Sequence, residues 1–271
     1  MTDITVEQIR QWVSMAGELA LACFHHVRTS LKADDEIVTD ADREVEAFLV
    51  QRLQEACPGD QILGEELGER GATRDRLWVI DPIDGTRAFA SGLPIWGISV
   101  GLVESCRPIT GVFYLPVLRE WYTAEAAGAA HWNQEALAPL RLDSWDRNSF
   151  ICIPSDAHRR YDISFPGVAR SLGSTAAHML YVARGAAVGA LLGQPKLWDL
   201  AAAWAVLDRV GGEMRYLSGA PVEIEPLLGG RKALEPIVCA SDALIEPLRR
   251  CITLRKECGQ PCPPRECPAP G

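Results

Sequence analysis

The run from Trp78 to Thr86 constrains the fold of this chain more than any other stretch. Three apolar residues (78–80) predict a buried strand, and the sequence Asp-Pro-Ile-Asp-Gly-Thr follows at 81–86. Proline fixes its own φ angle and lacks an N–H for a sheet ladder, so we expect the strand to stop at Asp81, before Pro82. The Asp-Gly pair that follows predicts a sharp turn into a helix that begins near Thr86.

Two kinds of polar group meet at the end of this strand. Asp81 and Asp84 supply carboxylates, which are the ligands that a hard divalent cation prefers. The backbone N–H groups of Gly85 and Thr86 open the next helix, where the helix dipole favours an anion such as phosphate. The run therefore suggests metal-assisted phosphate chemistry, although by itself it is also the sequence of an ordinary type I turn before a capped helix.

The composition is that of a globular protein with an acidic balance of charge. The 271 residues are 48% hydrophobic and 23% charged, and the formal net charge is −9. This length predicts one large domain or two closely packed halves. The negative charge and the lack of a basic run in the sequence argue against nucleic acid as a partner. An acidic protein that acts on a phosphate needs metal ions to reverse the local charge.

The two ends of the sequence bear on the cellular compartment of the protein. The start is acidic and passes directly into an amphipathic pattern, and no apolar stretch approaches the length of a membrane span. We therefore expect a cytoplasmic protein without a membrane partner, in which most of the nine cysteines are buried thiols. The residues 256–271 are rich in Pro and Cys but contain no Cys-x-x-Cys pair, so we expect a disordered tail rather than a zinc site.

The first half of the chain predicts an α+β arrangement. Two sequences typical of a capping box, at 5–8 and 39–42, each open a helical pattern. Strand-like runs then follow one another with short turns, which predicts an antiparallel meander. These runs are 96–103, 109–115, 120–123 and 129–132.

The second half alternates strand and helix patterns, which predicts an α/β arrangement. The predicted strands are 150–154, 188–192, 213–216 and 236–240, and the predicted helices are 174–182, 200–210 and 241–249. The Gly-Gly pair at 211–212 is typical of a helix end. We divide the chain into an N-terminal half (1–145), a C-terminal half (146–255) and the tail (256–271).

Three further acidic motifs accompany the central run. They are Thr39-Asp40-Ala41-Asp42, Gly64-Glu65-Glu66 and Trp198-Asp199. Taken singly, the first is a helix N-terminus, the second is a solvated loop after a strand, and the third is a buried aromatic residue beside a helix cap. Four or five carboxylates that gathered without a metal would repel one another, so the joint occurrence of these motifs favours a magnesium site.

Together, and in this order, these motifs resemble those of the inositol monophosphatase family of magnesium-dependent, lithium-sensitive phosphatases. The matching sequences are Val38-Thr39-x-x-Asp42, Gly64-Glu65-Glu66, the run 81–86, Arg170-Ser171-Leu172-Gly173-Ser174, Trp198-Asp199-Leu200-Ala201-Ala202 and Gly211-Gly212. The resemblance covers the chain from roughly the first predicted helix to the last. It implies a layered αβαβα sandwich, a homodimer and the hydrolysis of a small phosphorylated metabolite.

The resemblance also implies a ligand set for two Mg²⁺ ions. Glu65, Asp81 and the carbonyl of Ile83 would hold the first ion, and Asp81 would be shared with the second. Asp84 and Asp199 would complete the second site, while Glu65 would also reach a weaker third ion. The reaction implied is direct in-line attack by water, without a phosphoenzyme.

The catalytic and substrate-binding residues follow from the same resemblance. Thr86 and Asp42 would form a hydrogen-bonded pair that activates the attacking water, with Glu65 as the third catalytic residue. The backbone N–H groups of Gly85 and Thr86 would bind the phosphate. The implied contacts to the hydroxyl groups of the substrate are Gly173, Ser174 and Thr175.

Several substrates are compatible with these motifs. Inositol phosphate or a similar polyol phosphate is the first candidate, although Leu192 stands where animal inositol monophosphatases carry a hydroxyl-binding Glu. The Thr-Arg-Ala-Phe sequence at 86–89 resembles histidinol-phosphate phosphatases, and we expect Arg87 itself at the surface. Hydrolysis of 3′,5′-bisphosphate nucleotides or of fructose 1,6-bisphosphate would use the same chemistry. A non-catalytic protein that binds a phosphorylated ligand is the alternative from a different class.

Overall fold

The computed structural model describes residues 4–26, 29–31, 37–71 and 73–255. Its helices are α1 (Val6–Cys23), α2 (Asp40–Ala56), α3 (Thr86–Ala90), α4 (Ala157–Arg160), α5 (Thr175–Ala183), α6 (Leu197–Arg209) and α7 (Asp242–Arg250), with a 3₁₀ helix over Glu225–Gly230. None of the helices in these ranges is long and apolar enough to cross a membrane. The predicted tail (256–271) lies outside the described residues, so its disorder stays a prediction.

The first sheet is built from the residues between the second helix and the middle of the chain. Its strands are β3 (Asp60–Gly64), β4 (Gly68–Arg70), β5 (Thr73–Asp84), β6 (Gly97–Glu104), β7 (Arg107–Leu115), β8 (Glu120–Ala124), β9 (His131–Trp132) and β10 (Glu135–Ala136). They lie in the order β10-β9-β8-β7-β6-β5-β3-β4, and β3 pairs with β5 in parallel. The pairs from β5 to β9 are antiparallel, which confirms the predicted meander.

A second sheet follows in the later part of the chain. Its strands are β11 (Phe150–Cys152), β13 (Val168–Arg170), β14 (Gly189–Leu192), β15 (Gly212–Tyr216) and β16 (Ile237–Ser241), in the order β13-β11-β14-β16-β15. β11 is parallel to both of its neighbours, whereas β16 is antiparallel to both of its own. Two short pairs complete the described strands. They are β1 (Thr29–Leu31) with β2 (Ile37–Thr39), and β12 (Tyr161–Ile163) with β17 (Ile252–Leu254).

Helices and sheets alternate in five layers. On β5 the neighbouring residues Val79 and Ile80 face opposite sides of the first sheet, as successive strand residues do. Ile80 packs in a core with Val45 of α2, while Val79 packs in the core that holds Leu180 of α5 between the two sheets. Leu248 of α7 covers the outer face of the second sheet. The predicted αβαβα sandwich is confirmed.

Both predicted capping boxes are present. The Thr5 hydroxyl accepts a hydrogen bond from the Gln8 N–H at the start of α1. At the start of α2 the Thr39 hydroxyl accepts one from the Asp42 N–H, and the Asp42 carboxylate accepts one from the Thr39 N–H at 2.7 Å. These reciprocal bonds fix the position of Asp42 in the first turn of α2.

The expected end of the central strand at Asp81 is wrong. β5 continues to Asp84, because the ladder resumes after an irregularity: Asp81 lies opposite Ser99, and Asp84 lies opposite Gly97. Pro82 falls inside this interruption, where a ladder hydrogen bond is not required of it. The bulge leaves both aspartates at the same end of the strand.

The expected start of the sixth helix at Leu200 is also wrong. α6 begins at Leu197, and its first turn contains Asp199. The Asp199 carboxylate accepts a hydrogen bond from the Lys196 N–H at 2.6 Å and thereby stabilises a turn that helical periodicity alone did not predict. At the other end of the helix, Gly211 has φ +76° and turns the chain toward β15, in agreement with the predicted helix end.

Candidate active site

Three aspartates from distant parts of the sequence meet at the end of β5. Asp81 and Asp84 lie in β5 and are 1% and 3% exposed, whereas Asp199 lies in the first turn of α6. Each offers a carboxylate oxygen, and these oxygens lie within 4.8 Å of one another. The structure thus brings three of the predicted metal ligands together.

Asp84 is held by the beginning of α5. Its carboxylate accepts hydrogen bonds from the Ser174 hydroxyl, from the Thr175 N–H at 3.0 Å and from the Ala176 N–H at 2.8 Å. A carboxylate at this place is stabilised by the unsatisfied N–H groups and by the helix dipole. Ser174 and Thr175, which the sequence suggested as substrate contacts, therefore orient a predicted metal ligand in this structure.

The turn after β5 touches the loop before α5. Gly85 has φ +97°, and a Cβ atom there would lie 2.7 Å from the carbonyl oxygen of Gly173. A side chain at this position would therefore be strained and would also clash. The predicted phosphate-binding turn and the predicted substrate loop consequently lie side by side, and α3 begins at Thr86 as expected.

Asp81 and Asp199 each accept a hydrogen bond from a nearby backbone N–H. Asp81 Oδ1 accepts from Ile83 at 3.0 Å, and Asp199 Oδ2 accepts from Lys196 at 2.6 Å. Each bond engages one oxygen of the carboxylate, so the other oxygen can face a cation. Local backbone structure thus orients both side chains toward the cluster.

Burial and mutual repulsion make the cluster costly without a cation. Burial raises the pKa of Asp84 to about 6, and Glu65 adds to this effect. Burial is also the main reason that the pKa of Asp81 and that of Asp199 lie well above the ordinary range, with Glu65 and the neighbouring aspartates adding to it. A buried cluster of negative charges favours a divalent cation, and its hard carboxylate oxygens fit Mg²⁺.

The predicted ligand Glu65 lies beside this cluster. It is half-buried and close enough to raise the pKa of Asp81 and of Asp199. It also shares with Asp199 the lining of a cavity of about 320 Å³. Its position in the loop between β3 and β4 is compatible with the predicted ligand set.

A residue that the sequence did not single out, Glu46, holds the Glu65 loop. Its side chain is 0% exposed and accepts hydrogen bonds from the Glu66 N–H at 2.7 Å and from the Leu67 N–H at 2.8 Å. Burial raises the pKa of Glu46 to about 7. A Cβ atom on Gly64 would lie 1.9 Å from Glu46 Oε1, so glycine is needed where this carboxylate enters the loop.

One sequence signal could have revealed Glu46. It lies four residues after Asp42 on α2, so the two acids occupy the same face of the helix. Val45, Leu49 and Leu53 mark that side of the helix as buried. An acid on a buried helix face needs hydrogen-bond partners, and that requirement points to a positioning role.

Thr86 and Asp42 are brought together across 44 positions of sequence. The Thr86 hydroxyl lies 3.3 Å from Asp42 Oδ1 and 3.1 Å from the carbonyl oxygen of Ile83, and it can donate its proton to either. Burial raises the pKa of Asp42 to about 6, although hydrogen bonds from Thr39 lower it. A carboxylate with this pKa can accept a proton near neutral pH.

The cavity beside Glu65 and Asp199 is polar. It is lined by Glu65, Asp156, Arg160, Gly193, Gln194, Lys196, Trp198, Asp199 and Lys232. Leu192, which takes the place of a hydroxyl-binding Glu in the family resemblance, is 2% exposed and packs in the core between the sheets. Arg87 is exposed, in agreement with its expected place at the surface.

Comparison with known proteins identifies the family. The model of the inositol monophosphatase family matches residues 4–250. This chain belongs to the inositol monophosphatase family. Inositol monophosphatases are phosphomonoester hydrolases, so the chain is a phosphatase.

The relatives of this chain are named for more than one substrate. The chain is 34% identical over 215 residues to a histidinol-phosphatase of Mycobacterium tuberculosis, and the aligned region covers 71% of this chain and 79% of that protein. It is 31% identical over 257 residues to an inositol-1-monophosphatase of Bacillus subtilis, and the aligned region covers 88% of this chain and 97% of that protein. The solved structure of an inositol monophosphatase from Thermotoga maritima superposes with a TM-score of 0.78 at 25% identity, covering 90% of this chain and 95% of that one.

Proposed function

We propose that this member of the inositol monophosphatase family is a Mg²⁺-dependent phosphomonoesterase that hydrolyses a small polyol phosphate, inositol monophosphate first among the candidates, by attack of water. The observation that carries the proposal is the convergence of Asp81, Asp84 and Asp199 within 4.8 Å. Such a cluster is repulsive by itself and becomes favourable around divalent cations.

Two ions would share these residues. Glu65, Asp81 and the carbonyl of Ile83 would hold one, and Asp81, Asp84 and Asp199 would hold the other, with a weaker third ion near Glu65. When bound, Mg²⁺ supplies positive charge for the phosphate oxygens and lowers the pKa of a coordinated water. The hydrogen bonds from Ser174 and from the start of α5 keep Asp84 oriented for this task.

The chain supplies the proton acceptor from its own residues. The Thr86 hydroxyl lies between Asp42 Oδ1 and the Ile83 carbonyl, so it can orient a water molecule and pass a proton to Asp42. The pKa of Asp42, about 6, keeps this group largely ionised at neutral pH. We therefore assign general-base chemistry to the Thr86–Asp42 pair, with Glu65 as the further catalytic residue.

Binding of the substrate involves the two loops that meet at Gly85. We assign the phosphate to the backbone N–H groups of Gly85 and Thr86 at the start of α3. The hydroxyl groups of the substrate are assigned to the loop at Gly173 and to Ser174 and Thr175, whose other contacts hold Asp84. By the family resemblance we also expect a cytoplasmic homodimer that is inhibited by lithium.

Histidinol phosphate is the second candidate substrate. The relative from Mycobacterium tuberculosis that is 34% identical to this chain is named a histidinol-phosphatase. The buried Leu192 also removes the carboxylate that would bind inositol hydroxyls in the animal enzymes. The metal cluster and the Thr86–Asp42 pair would serve either substrate, so the distinction lies in the cavity.

A substrate screen tests the proposal directly. Inositol 1-phosphate, histidinol phosphate, fructose 1,6-bisphosphate and adenosine 3′,5′-bisphosphate are offered with Mg²⁺, with EDTA, and with Mg²⁺ plus lithium, and released phosphate is measured. We expect Mg²⁺-dependent hydrolysis of at least one of them and its loss in EDTA. Binding of a phosphorylated compound without turnover of any would overturn the proposal in favour of a non-catalytic ligand-binding protein.

Glu46→Ala is expected to raise the Mg²⁺ requirement. Without its carboxylate the N–H groups of Glu66 and Leu67 lose their acceptor, and the loop that carries Glu65 loses its anchor. Loss of a residue that orients a metal ligand typically costs about 10- to 100-fold in metal affinity or activity. The measurement is phosphatase activity as a function of Mg²⁺ concentration.

Glu44→Ala is the matched control for this experiment. Glu44 lies two positions before Glu46 on the same helix, but its side chain is exposed. Both variants remove one carboxylate, so a general effect of net charge would appear in both. An equal Mg²⁺ requirement in the two variants would show that Glu46 does not position the Glu65 loop.

A further inference from the structure

The loop that leads into α5 is held at both of its ends. Arg170, the last residue of β13, accepts a hydrogen bond on its carbonyl oxygen from the Ile153 N–H at 2.8 Å. At the other end, the Ser174 hydroxyl accepts one from the Ala177 N–H at 2.9 Å and caps α5. The three residues between these anchors (171–173), the Gly173 loop, join the second sheet to the proposed active site.

Gly173 places this loop against α3. Its φ angle is +107°, and a Cβ atom on it would lie 2.9 Å from the Cβ atom of Ala88. Glycine is therefore needed for this close approach. Since α3 begins at the proposed phosphate-binding turn, the position of Gly173 sets how far the bound phosphate lies from the proposed contacts to the substrate hydroxyl groups.

His178 holds the middle of the Gly173 loop from the side of α5. Its Nε2 atom accepts a hydrogen bond from the Leu172 N–H at 3.0 Å, six positions earlier in the chain. The His178 side chain is buried, and its neighbours Ala177 and Met179 are fully buried as well. The hydrogen bond connects this buried side chain to the residue directly before Gly173, so its effect reaches the proposed substrate loop.

This hydrogen bond requires a neutral imidazole. Burial lowers the pKa of His178 from 6.5 to about 4. The ring is therefore neutral at physiological pH, and because Nε2 is the acceptor, the single ring proton lies on Nδ1. A side chain without an acceptor would leave the half-buried Leu172 N–H without this partner, which reduces the free-energy difference between this loop position and others.

We propose that His178 is a positioning residue that sets the preference of the enzyme for hydroxyl-bearing phosphomonoesters, because it fixes the Gly173 loop through the Leu172 N–H. The proposal rests on the proposed phosphatase function, in which this loop contacts the substrate hydroxyl groups. Asp84 is anchored separately, since its three hydrogen bonds come from residues 174–176, after the loop. Loss of the His178 bond should therefore weaken binding of the substrate hydroxyl groups more than binding of Mg²⁺.

Two variants of similar side-chain length separate the hydrogen bond from packing. His178→Gln keeps a carbonyl oxygen that can accept from the Leu172 N–H, whereas His178→Met has an unbranched side chain with only a weak acceptor. Each variant is assayed with the hydroxyl-bearing substrate that the screen selects, such as inositol 1-phosphate, and with phenyl phosphate, which carries no alcohol hydroxyl group. The measured quantity is the ratio of the two kcat/KM values, since this ratio isolates recognition of the hydroxyl groups.

His178→Met is expected to lower that ratio on the order of tenfold, mainly through a higher KM for the hydroxyl-bearing substrate. His178→Gln should lower it by less than about threefold, because the acceptor is restored. The Mg²⁺ concentration that gives half-maximal activity should change by less than about twofold in both variants, because the hydrogen bonds to Asp84 are kept.

Met179→Ala is the control for a general loss of stability. Met179 follows His178 on α5 and is fully buried in the core between the sheets, and its thioether is only a weak hydrogen-bond acceptor. Its truncation leaves a cavity and lowers the melting temperature, but the substrate ratio should stay within about twofold of the wild type. An equal decrease in Met179→Ala and His178→Met would overturn the positioning role.

Nitrogen-15 NMR of protein labelled at histidine gives a readout that does not depend on turnover. At neutral pH we expect the His178 signals of a ring that is protonated on Nδ1 and unprotonated on Nε2. A proton on Nε2 at neutral pH would overturn the proposal, since this atom then cannot accept from the Leu172 N–H.

The kinetic outcomes distinguish this proposal from the proposed function. Equal ratios in His178→Gln and His178→Met, or a Mg²⁺ requirement of His178→Met that rises as much as the ratio falls, would overturn the positioning role while Mg²⁺-dependent hydrolysis remains. Hydrolysis of histidinol phosphate alone would also overturn it, since that substrate has no free hydroxyl group. Absence of hydrolysis of phenyl phosphate and of every compound in the screen would instead overturn the proposed phosphatase function, and the positioning role with it.

Discussion

An Asp81→Asn variant is expected to lose roughly a thousandfold or more of its phosphatase activity, since charge stabilisation by metals is worth several kcal/mol and each 1.4 kcal/mol is about a factor of ten. Asp81 is the carboxylate that we propose to be shared by both ions. An asparagine oxygen can still accept the hydrogen bond from the Ile83 N–H, so the turn should be kept. The measurement is kcat/KM at saturating Mg²⁺.

Asp81 is a cleaner choice than Asp84 for this experiment. Asp84 accepts three hydrogen bonds at the start of α5, and an amide group there would place a donor against a donor. Asp143→Asn serves as the control because Asp143 is exposed and distant in sequence from the motifs. Near-normal activity of Asp81→Asn in a folded protein, judged by circular dichroism, would contradict the assigned metal site.

Mg²⁺ is expected to raise the melting temperature, and more strongly at pH 8 than at pH 5.5. At a Mg²⁺ concentration about 100 times its Kd, mass action adds roughly 2.7 kcal/mol, which corresponds to about 5–10 °C for a chain of this size. The melting temperature should rise because the ions bind the native cluster of carboxylates and balance its charge. Thermal denaturation followed by circular dichroism, with Mg²⁺ and with EDTA, measures the shift.

The pH dependence follows from the raised pKa values. Burial raises the pKa of Asp84 from 3.8 to about 6 and that of Glu46 from 4.5 to about 7. A carboxyl group whose pKa is higher in the folded state stabilises the protein below its unfolded pKa, and this contribution is lost as the pH rises through the folded pKa. Over the whole range from below pH 3.8 to above pH 6 the loss for Asp84 alone is about 3 kcal/mol, of which only about 1 kcal/mol falls above pH 5.5. Glu46, with its higher pKa, loses about 2 kcal/mol between pH 5.5 and pH 8. Metal-free protein should therefore melt at a higher temperature at pH 5.5 than at pH 8.

The Asp81→Asn variant separates the metal effect from general salt effects. It removes one charge from the cluster, so its metal-free melting temperature should be equal to or above that of the wild type at pH 8. The rise in the melting temperature of the variant on addition of Mg²⁺ should be smaller than that of the wild type. Equal Mg²⁺ shifts in the two proteins, or a wild-type shift that does not grow with pH, would place the stabilising ion elsewhere.

Local signals predicted the individual elements well. Both capping boxes and the antiparallel meander are present because each depends on residues a few positions apart. The two wrong boundaries, at Asp81 and at Leu200, have one cause. In each case a hydrogen-bonding arrangement outside the periodic pattern decided where the element continues: the pairing of Asp84 opposite Gly97 across the bulge, and the bond from Lys196 to Asp199.

Contacts between distant segments were not predictable in this way. Glu46 was missed because its partners, Glu66 and Leu67, lie 20 and 21 positions away in a loop. Ser174 and Thr175 were predicted only as substrate contacts, whereas in the structure they hold Asp84 from 90 and 91 positions away. Such pairings depend on how the layers stack.

The sequence by itself determined the type of chemistry and the family. The Asp-Pro-Ile-Asp-Gly-Thr run and the acidic motifs around it are short, and their chemical meaning depends on residue type and order, which the sequence contains completely. Only the tertiary structure decided how Asp199 reaches Asp81 and Asp84, what anchors the Glu65 loop, and which side chains line the cavity. The physical reason is that burial and charge at a site are sums over segments that become neighbours only when the two sheets and their helices pack.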